Sequence, residues 1–221
     1  MILTSIDHQR LSGLLPAYGQ AVSIHTLAAR VFDRVVALVP DGDLMRLSTD
    51  GDHHEQAVAL CRRFGLGVID IDPQDWYTWD GRNVATRMEP SVIIHEVAHY
   101  QCAAPHRRTI PDFGLGKGPE TGLGGAGANA VATITGVYAD VEEALSSLLG
   151  ILWEAHLGQP AILALLEQNW LEGGADPRNT AHFIKVVETL HDLGLINDQG
   201  APIMGLREVY DAPFFDDWFG A

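Results

Sequence analysis

The chain has 221 residues, 47% of them hydrophobic, and 14 Lys and Arg against 29 Asp and Glu, for a formal net charge of −15. That length fits one domain with a core that needs no staples, and so acidic a surface argues against nucleic acid as a partner. Two cysteines, Cys61 and Cys102, make no disulfide framework and fit a reducing cytoplasm; no stretch has the apolar length of a membrane span, and Met1 to Asp7 carries no signal-peptide pattern.

From about Asp7 to Val39 the sequence reads as helical, with Leu11, Leu14 and Leu15, then Leu27, Val31, Val35 and Val36 at helical spacing. Pro40-Asp41-Gly42-Asp43 predicts a turn. A third helix is expected from Asp52 to Phe64, ended by Gly65 and Gly67, with a short strand at Val68-Ile69-Asp70-Ile71. His53 and His54 read as an exposed polar helix start rather than a second metal site. Between Trp76 and Thr86, Asp80-Gly81 separates two strand-like runs and predicts a β-hairpin. Residues 1–88 thus form an N-terminal helical and hairpin elaboration. Residues 89–221 form the core and C-terminal helices of one predominantly helical α+β domain.

The run Val92-Ile93-Ile94-His95-Glu96-Val97-Ala98-His99 contains HExxH in an apolar frame. A helix turns about 100° per residue, so His95 and His99 lie one turn apart on one face and can grip a single metal ion. Pro90-Ser91 reads as the helix start and Pro105 as its stop. Buried imidazoles without partners are costly, which favours ligation over chance. Gln101 departs from the pattern, because zinc proteases usually carry an apolar residue there.

A third ligand is expected downstream. Val141, Leu145, Leu148, Leu149, Leu152 and His156 define the apolar face of a long helix opening at Asp140, with Asp140 as N-cap and Glu143 completing a capping box. On that wheel Glu143 falls with Gly150 and Glu154, on the side expected to face solvent. Glu142 falls beside Leu149, Trp153 and His156 at the edge of the buried face, where a carboxylate needs a partner. Glu142 is therefore the expected third ligand. Cys102 and His156 are its rivals, Cys102 better explained as a core residue and His156 as a group that packs or orients a ligand.

Gly114 to Gly127 is rich in glycine and includes a literal GxGxxG at Gly122, Gly124 and Gly127. No strand precedes it, so a loop or lid between the ligand helices is the better reading than a dinucleotide site. Pro160 to Asn197 is helical again, broken at Gly173 to Pro177, with His182 and His191 structural or exposed. The aromatic, acidic tail from Pro213 to Phe219 either docks on the core or forms an oligomer contact.

Continuing from the motif, His95-Glu96-x-x-His99-Tyr100-x-x-Ala103-x-x-x-Arg107-Arg108-x-Ile110-x-Asp112-Phe113-Gly114, followed later by Asp140-Val141-Glu142, resembles the elongation factor P hydroxylase family over about Ser91 to Glu142. The resemblance implies an iron-dependent hydroxylase with Glu142 as ligand. It does not extend before about Asn83, and the glycine-rich loop is longer here, so the family's substrate is not carried over. With one Fe(II), His95, His99 and Glu142 would form a two-histidine, one-carboxylate face for oxidation of a C–H bond. Glu96 would orient a ligand or relay a proton, and Tyr100, Arg107, Arg108, Asp112 and His156 would bind substrate or support the ligands. Arg107 and Arg108 either clamp a substrate carboxylate, or pair with Asp112 or a helix C-terminus. With Zn(II), Glu96 would be the general base of a zincin-like peptidase or amidohydrolase. A metal-stabilised binding module without catalysis is the third reading. The expected substrate is a small molecule or a peptide or protein side chain.

Overall fold

The computed structural model describes residues 8–39, 50–73, 78–116 and 132–220. Their regular structure is predominantly helical, as expected. It comprises α1 (His8–Val22), α2 (Thr26–Val35), α3 (Gly51–Arg63), β1 (Gly67–Ile69), β2 (Asn83–Ala85), α4 (Pro90–Cys102), α5 (Val137–His156), α6 (Ile162–Glu167), α7 (Pro177–Asp192) and α8 (Asp211–Phe219). The expected turn at Pro40 to Asp43 and most of the glycine-rich loop, including Gly122, Gly124 and Gly127, lie outside the described residues. No helix among the described residues is long and apolar enough to cross a membrane.

Two helices form the centre. α4 begins with Pro90 in its first turn, where a missing N–H costs nothing, and ends as Ala103 turns extended ahead of Pro105. It lies between α3 and α5, and most of its residues are buried on every side. α5 is likewise buried all round from Val141 through Glu154, with only Glu143 and Ala144 partly open. A helix without a solvent face has no amphipathic stripe to reveal which side meets which neighbour. Gly150 lets the two helices approach: a Cβ built there would sit 3.3 Å from the His95 Cα.

α3 is started by Asp50, whose side chain accepts from the backbone N–H of Asp52 (2.7 Å) and His53 (3.4 Å). His54 is half-buried rather than exposed, and its Nε2 lies 2.6 Å from the Thr86 carbonyl, tying α3 to the end of β2.

The hairpin is only partly as expected. Asp80 caps the turn by accepting from Arg82 and Asn83 N–H at 2.7 and 2.6 Å, and Trp79 bridges Val84 antiparallel. The strand it delivers, β2, pairs in parallel with β1, in the register Gly67–Asn83, Val68–Val84 and Ile69–Ala85.

The N-terminal pair α1 and α2 packs on α7 through Tyr18, Phe32 and Phe183, with ring centroids 5.1 Å apart for the stacked Tyr18–Phe32 pair and 5.7 Å for the edge-on Tyr18–Phe183 pair. Such pairs contribute about 0.5–1.5 kcal/mol beyond the area they bury.

The tail docks rather than standing free: Phe214 and Phe215 of α8 are buried in the common core. Gln101 explains its own departure from the protease pattern. It is fully buried, donates to the carbonyls of Ile203 (2.9 Å) and Gly205 (2.7 Å), and accepts from the Trp153 indole (2.6 Å). A polar side chain stands there because it fastens the chain leading to α8.

Candidate metal centre

The two histidines meet as the HExxH spacing predicts. Their ring centroids are 4.4 Å apart, and both Nε2 atoms point to one carboxylate. That carboxylate is Glu143, not Glu142: His95 Nε2 lies 3.2 Å from Oε1 and His99 Nε2 lies 3.3 Å from Oε2. One ligand atom from each of His95, His99 and Glu143 lies within 4.8 Å of the others, and no other such group occurs among the described residues.

The physical reason for the correction is the burial of α5. The side carrying Glu143, Gly150 and Glu154, expected to face solvent, packs against α4 instead. α5 also starts four residues earlier than expected, at Val137, with Gly136 rather than Asp140 as its N-cap. Asp140 is therefore inside the first turn, and the proposed capping box does not form.

Glu142 has a different occupation. It is fully buried and accepts from Arg107 Nη1 at 3.0 Å, from Arg107 Nη2, and from Arg207 Nη1 at 3.1 Å. Asp211 completes the cluster, taking Arg107 Nε at 2.8 Å, Arg107 Nη2 at 3.0 Å and Arg207 Nη2 at 3.1 Å. Two guanidinium groups face two carboxylates with most donors and acceptors used, which is what makes buried charge tolerable. Arg207 and Asp211 went unremarked in the sequence; an arginine on a nonhelical stretch beside an aromatic tail gives no periodic signal.

The remaining expected site residues divide. Arg107 is fully enclosed in this cluster, so it neither clamps a substrate carboxylate nor pairs with Asp112. Arg108 is the helix-end contact: its Nε donates to the Tyr100 carbonyl at 3.2 Å, Nη2 donates to the Arg207 carbonyl, and the guanidinium lies 5.8 Å from the Tyr100 ring. Tyr100 meets Trp79 edge-on at 6.1 Å and supports the wall of the site. His156 is exposed at the far end of α5, against Trp153, about 20 Å along the helix from Glu143, and takes no part. Cys102 is buried, and burial pushes its thiol up to about 12, which suits a core residue rather than a thiolate ligand.

The electrostatics prepare the donors. Burial, then the neighbouring His95, lowers the affinity of His99 for a proton, keeping its lone pair available. Burial alone would raise Glu143, but His95 and His99 hold it well below the usual carboxylate range. Three other carboxyls, of which Glu96 is within electrostatic reach of Glu143, are pushed the other way by burial. Glu96 rises to about 8 through burial and then the Asp112 charge, Glu154 to about 8 through burial, and Asp112 to about 7 through burial against two backbone N–H groups of Trp79 and Thr78.

Metal–ligand bonds of about 2.1 Å imply donor–donor edges of roughly 3.0–3.4 Å in octahedral or tetrahedral sites. The 3.2 and 3.3 Å separations, which run to the two different oxygens of Glu143, fall in that range. Two neutral imidazoles and one carboxylate fit Fe(II) or Zn(II). Glu143 is 33% exposed and His95 18%, so the centre can be reached from outside. A cleft of about 340 Å³ lies along Glu143, lined by Asp140, Ser147, Gln168, Trp170, Asn179 and His182 among others, with no Lys or Arg in its wall among the described residues. No protein-family model, curated protein or solved structure matches this chain.

Proposed function

We propose that the chain is a metal-dependent enzyme, a non-haem Fe(II) hydroxylase or oxygenase whose ion is held by His95, His99 and Glu143. The observation that carries this reading is the convergence of those three donor atoms within 4.8 Å, on a face open enough for substrate. Fe(II) held there would supply dioxygen activation, so that one oxygen atom enters a substrate C–H bond and the other leaves as water, with two electrons from an external donor and two protons. The run from His95 to Gly114, with its resemblance to the elongation factor P hydroxylases, favours hydroxylation over hydrolysis.

The chain's own groups have assignable tasks. His99 and Glu143 present a lone pair and a charge without first losing a proton. Glu96 and Asp112 hold protons near neutral pH and can pass them towards the centre. Trp79 and Phe113 form an aromatic wall that keeps water from one side. The cleft beside Glu143 admits a neutral or cationic small molecule, or a peptide side chain; Asp140 and Glu143 disfavour an anion. With both cysteines free and buried, the reading places the enzyme in a reducing cytoplasm.

A zinc peptidase or amidohydrolase is the second reading. It is favoured by Glu96, a carboxyl raised to about 8 within electrostatic reach of His95 and Glu143, as a general base requires. Metal content decides between them. Protein made with iron supplementation and purified anaerobically without chelators should carry near-stoichiometric iron that Glu143→Ala loses. Stoichiometric zinc without iron uptake, together with peptide hydrolysis that Glu96→Gln abolishes, would establish the hydrolase instead. No metal under either condition sinks both.

A further inference from the structure

The turn after α4 has a costly backbone. Asp112, Phe113 and Gly114 lie in succession in the left-handed region, with φ of 43°, 54° and 73°. Gly114 is suited to it, and a Cβ there would sit 2.3 Å from Thr133 Oγ1. Asp112 and Phe113 are not suited. Two adjacent side-chain-bearing residues stay in that region only when their surroundings over-determine them.

The surroundings are specific. The Phe113 ring stacks on the His99 imidazole at 5.7 Å and 19°, and parallel to Trp79 at 5.5 Å and 5°. The Phe113 carbonyl accepts from Arg107 Nη1 at 2.6 Å. Arg107 in turn is held by Asp211, the first residue of α8, through Nε at 2.8 Å and Nη2 at 3.0 Å. A continuous path of contacts therefore runs from α8, through one guanidinium and one strained turn, to the face of an imidazole. Among the described residues, His99 Nδ1 is buried with no hydrogen-bond partner. Metal-binding imidazoles are ordinarily oriented by a hydrogen bond at that nitrogen. Here ring stacking does the orienting.

We infer that Phe113 is a positioning residue for His99, and that Asp211 of α8 acts on the same imidazole through Arg107. The consequence for ligation rests on the metal-centre reading; the coupling itself belongs to the metal-free chain. Neither Phe113 nor Asp211 is a ligand, so their replacement leaves all three donors in place and alters only how one is aimed.

The test uses the full chain labelled at histidine, with ring signals followed by NMR without metal and Co(II) then titrated. Phe113→Leu should move the His99 ring resonances, because the stacked ring current is gone. Asp211→Asn should move them the same way, Asp211→Glu should restore them, and the double variant should go no further than Phe113→Leu alone. His191, which contacts Asp198 and lies outside both the cleft and the Arg107 cluster, should stay unmoved and serves as the internal control. Co(II) affinity should fall on the order of 10- to 100-fold in both single variants. If Asp211→Asn leaves His99 unmoved, or if the two substitutions act additively, the coupling is wrong. If the resonances move together but wild-type protein binds no Co(II), the coupling stands and the metal reading fails. A fall in melting temperature with no change at His99 would mark both residues as merely structural and overturn the inference.

Discussion

Two buried charged clusters share one helix and begin on adjacent residues, yet they are built to opposite ends. Around Glu142, two guanidinium groups meet two carboxylates, and the cluster is closed by its own side chains. Around Glu143, two imidazoles meet one carboxylate, the raised carboxyl of Glu96 lies within electrostatic reach, and among the described residues no Lys or Arg pairs with Glu143. The first cluster is complete as folded. The second has surplus donors and surplus potential negative charge, which is the condition in which a bound divalent cation stabilises rather than disturbs. A carboxylate's neighbours, more than its position on a wheel, decide whether it holds a fold or a ligand.

Exchanging the two glutamates' fates is the sharpest way to break that contrast. Glu143→Ala, like His95→Ala or His99→Ala, should reduce metal affinity by more than about 100-fold, since one of three donors is gone; equilibrium dialysis against Co(II) or Fe(II) measures it. Glu142→Ala should instead leave Arg107 and Arg207 with Asp211 as their one carboxylate partner among the described residues, lowering stability by about 3–5 kcal/mol in denaturant titration. Similar metal loss and similar stability loss in the two variants would erase the distinction.

Acidity should tell the clusters apart next. Glu96, Glu154 and Asp112 take up protons in the folded, metal-free chain at about 8, 8 and 7, whereas unfolded carboxyls do so near their ordinary values of 4.5, 4.5 and 3.8. The folded state therefore binds more protons than the unfolded state between those limits, and stability must rise as pH falls. From pH 8 to about 7, above the ordinary histidine value of about 6.5, the metal-free chain should gain about 2 kcal/mol of stability, read as a rise in melting temperature. A chain held only by ion-paired carboxylates would show no such climb.

The mildest probe is Gly150→Ala. The added methyl meets the His95 backbone at 3.3 Å, so α4 and α5 must part by a few tenths of an ångström. Metal affinity should drop less than about 10-fold, with little change in melting temperature because alanine's better helix propensity offsets the crowding. An unchanged affinity would mean that the centre tolerates helix movement, and that close approach matters only for packing.

Much of this was legible in the sequence, and the exceptions have one cause. The HExxH helix was bounded correctly by Pro90 and Pro105, because proline geometry and i,i+4 spacing are local rules. α3, β1 and the helical N-terminus were readable for the same reason. Glu143 was not, because the wheel argument assumed a solvent face on α5, and a helix buried all round has none. Gly150 was the overlooked signal: a glycine in line with Glu143 and Glu154 marks close helix approach, not exposure. The Arg107–Asp211 and Arg207–Glu142 pairs span long stretches of chain and leave no periodic trace. The hairpin misled because Asp80-Gly81 specifies a turn but not which strand its arm will pair with.

The charge cluster also sets an order of events in the cell. Arg107 precedes Asp211 by 104 residues, so the ribosome delivers Arg107 and Glu142 well before Arg207 and Asp211. At ordinary synthesis rates the interval between Arg107 and Asp211 is on the order of 5–20 s. During that time half of a buried ion cluster must stay wet, and the α4–α5 pair cannot close over it. Closure over the cluster therefore waits until Asp211 has been made.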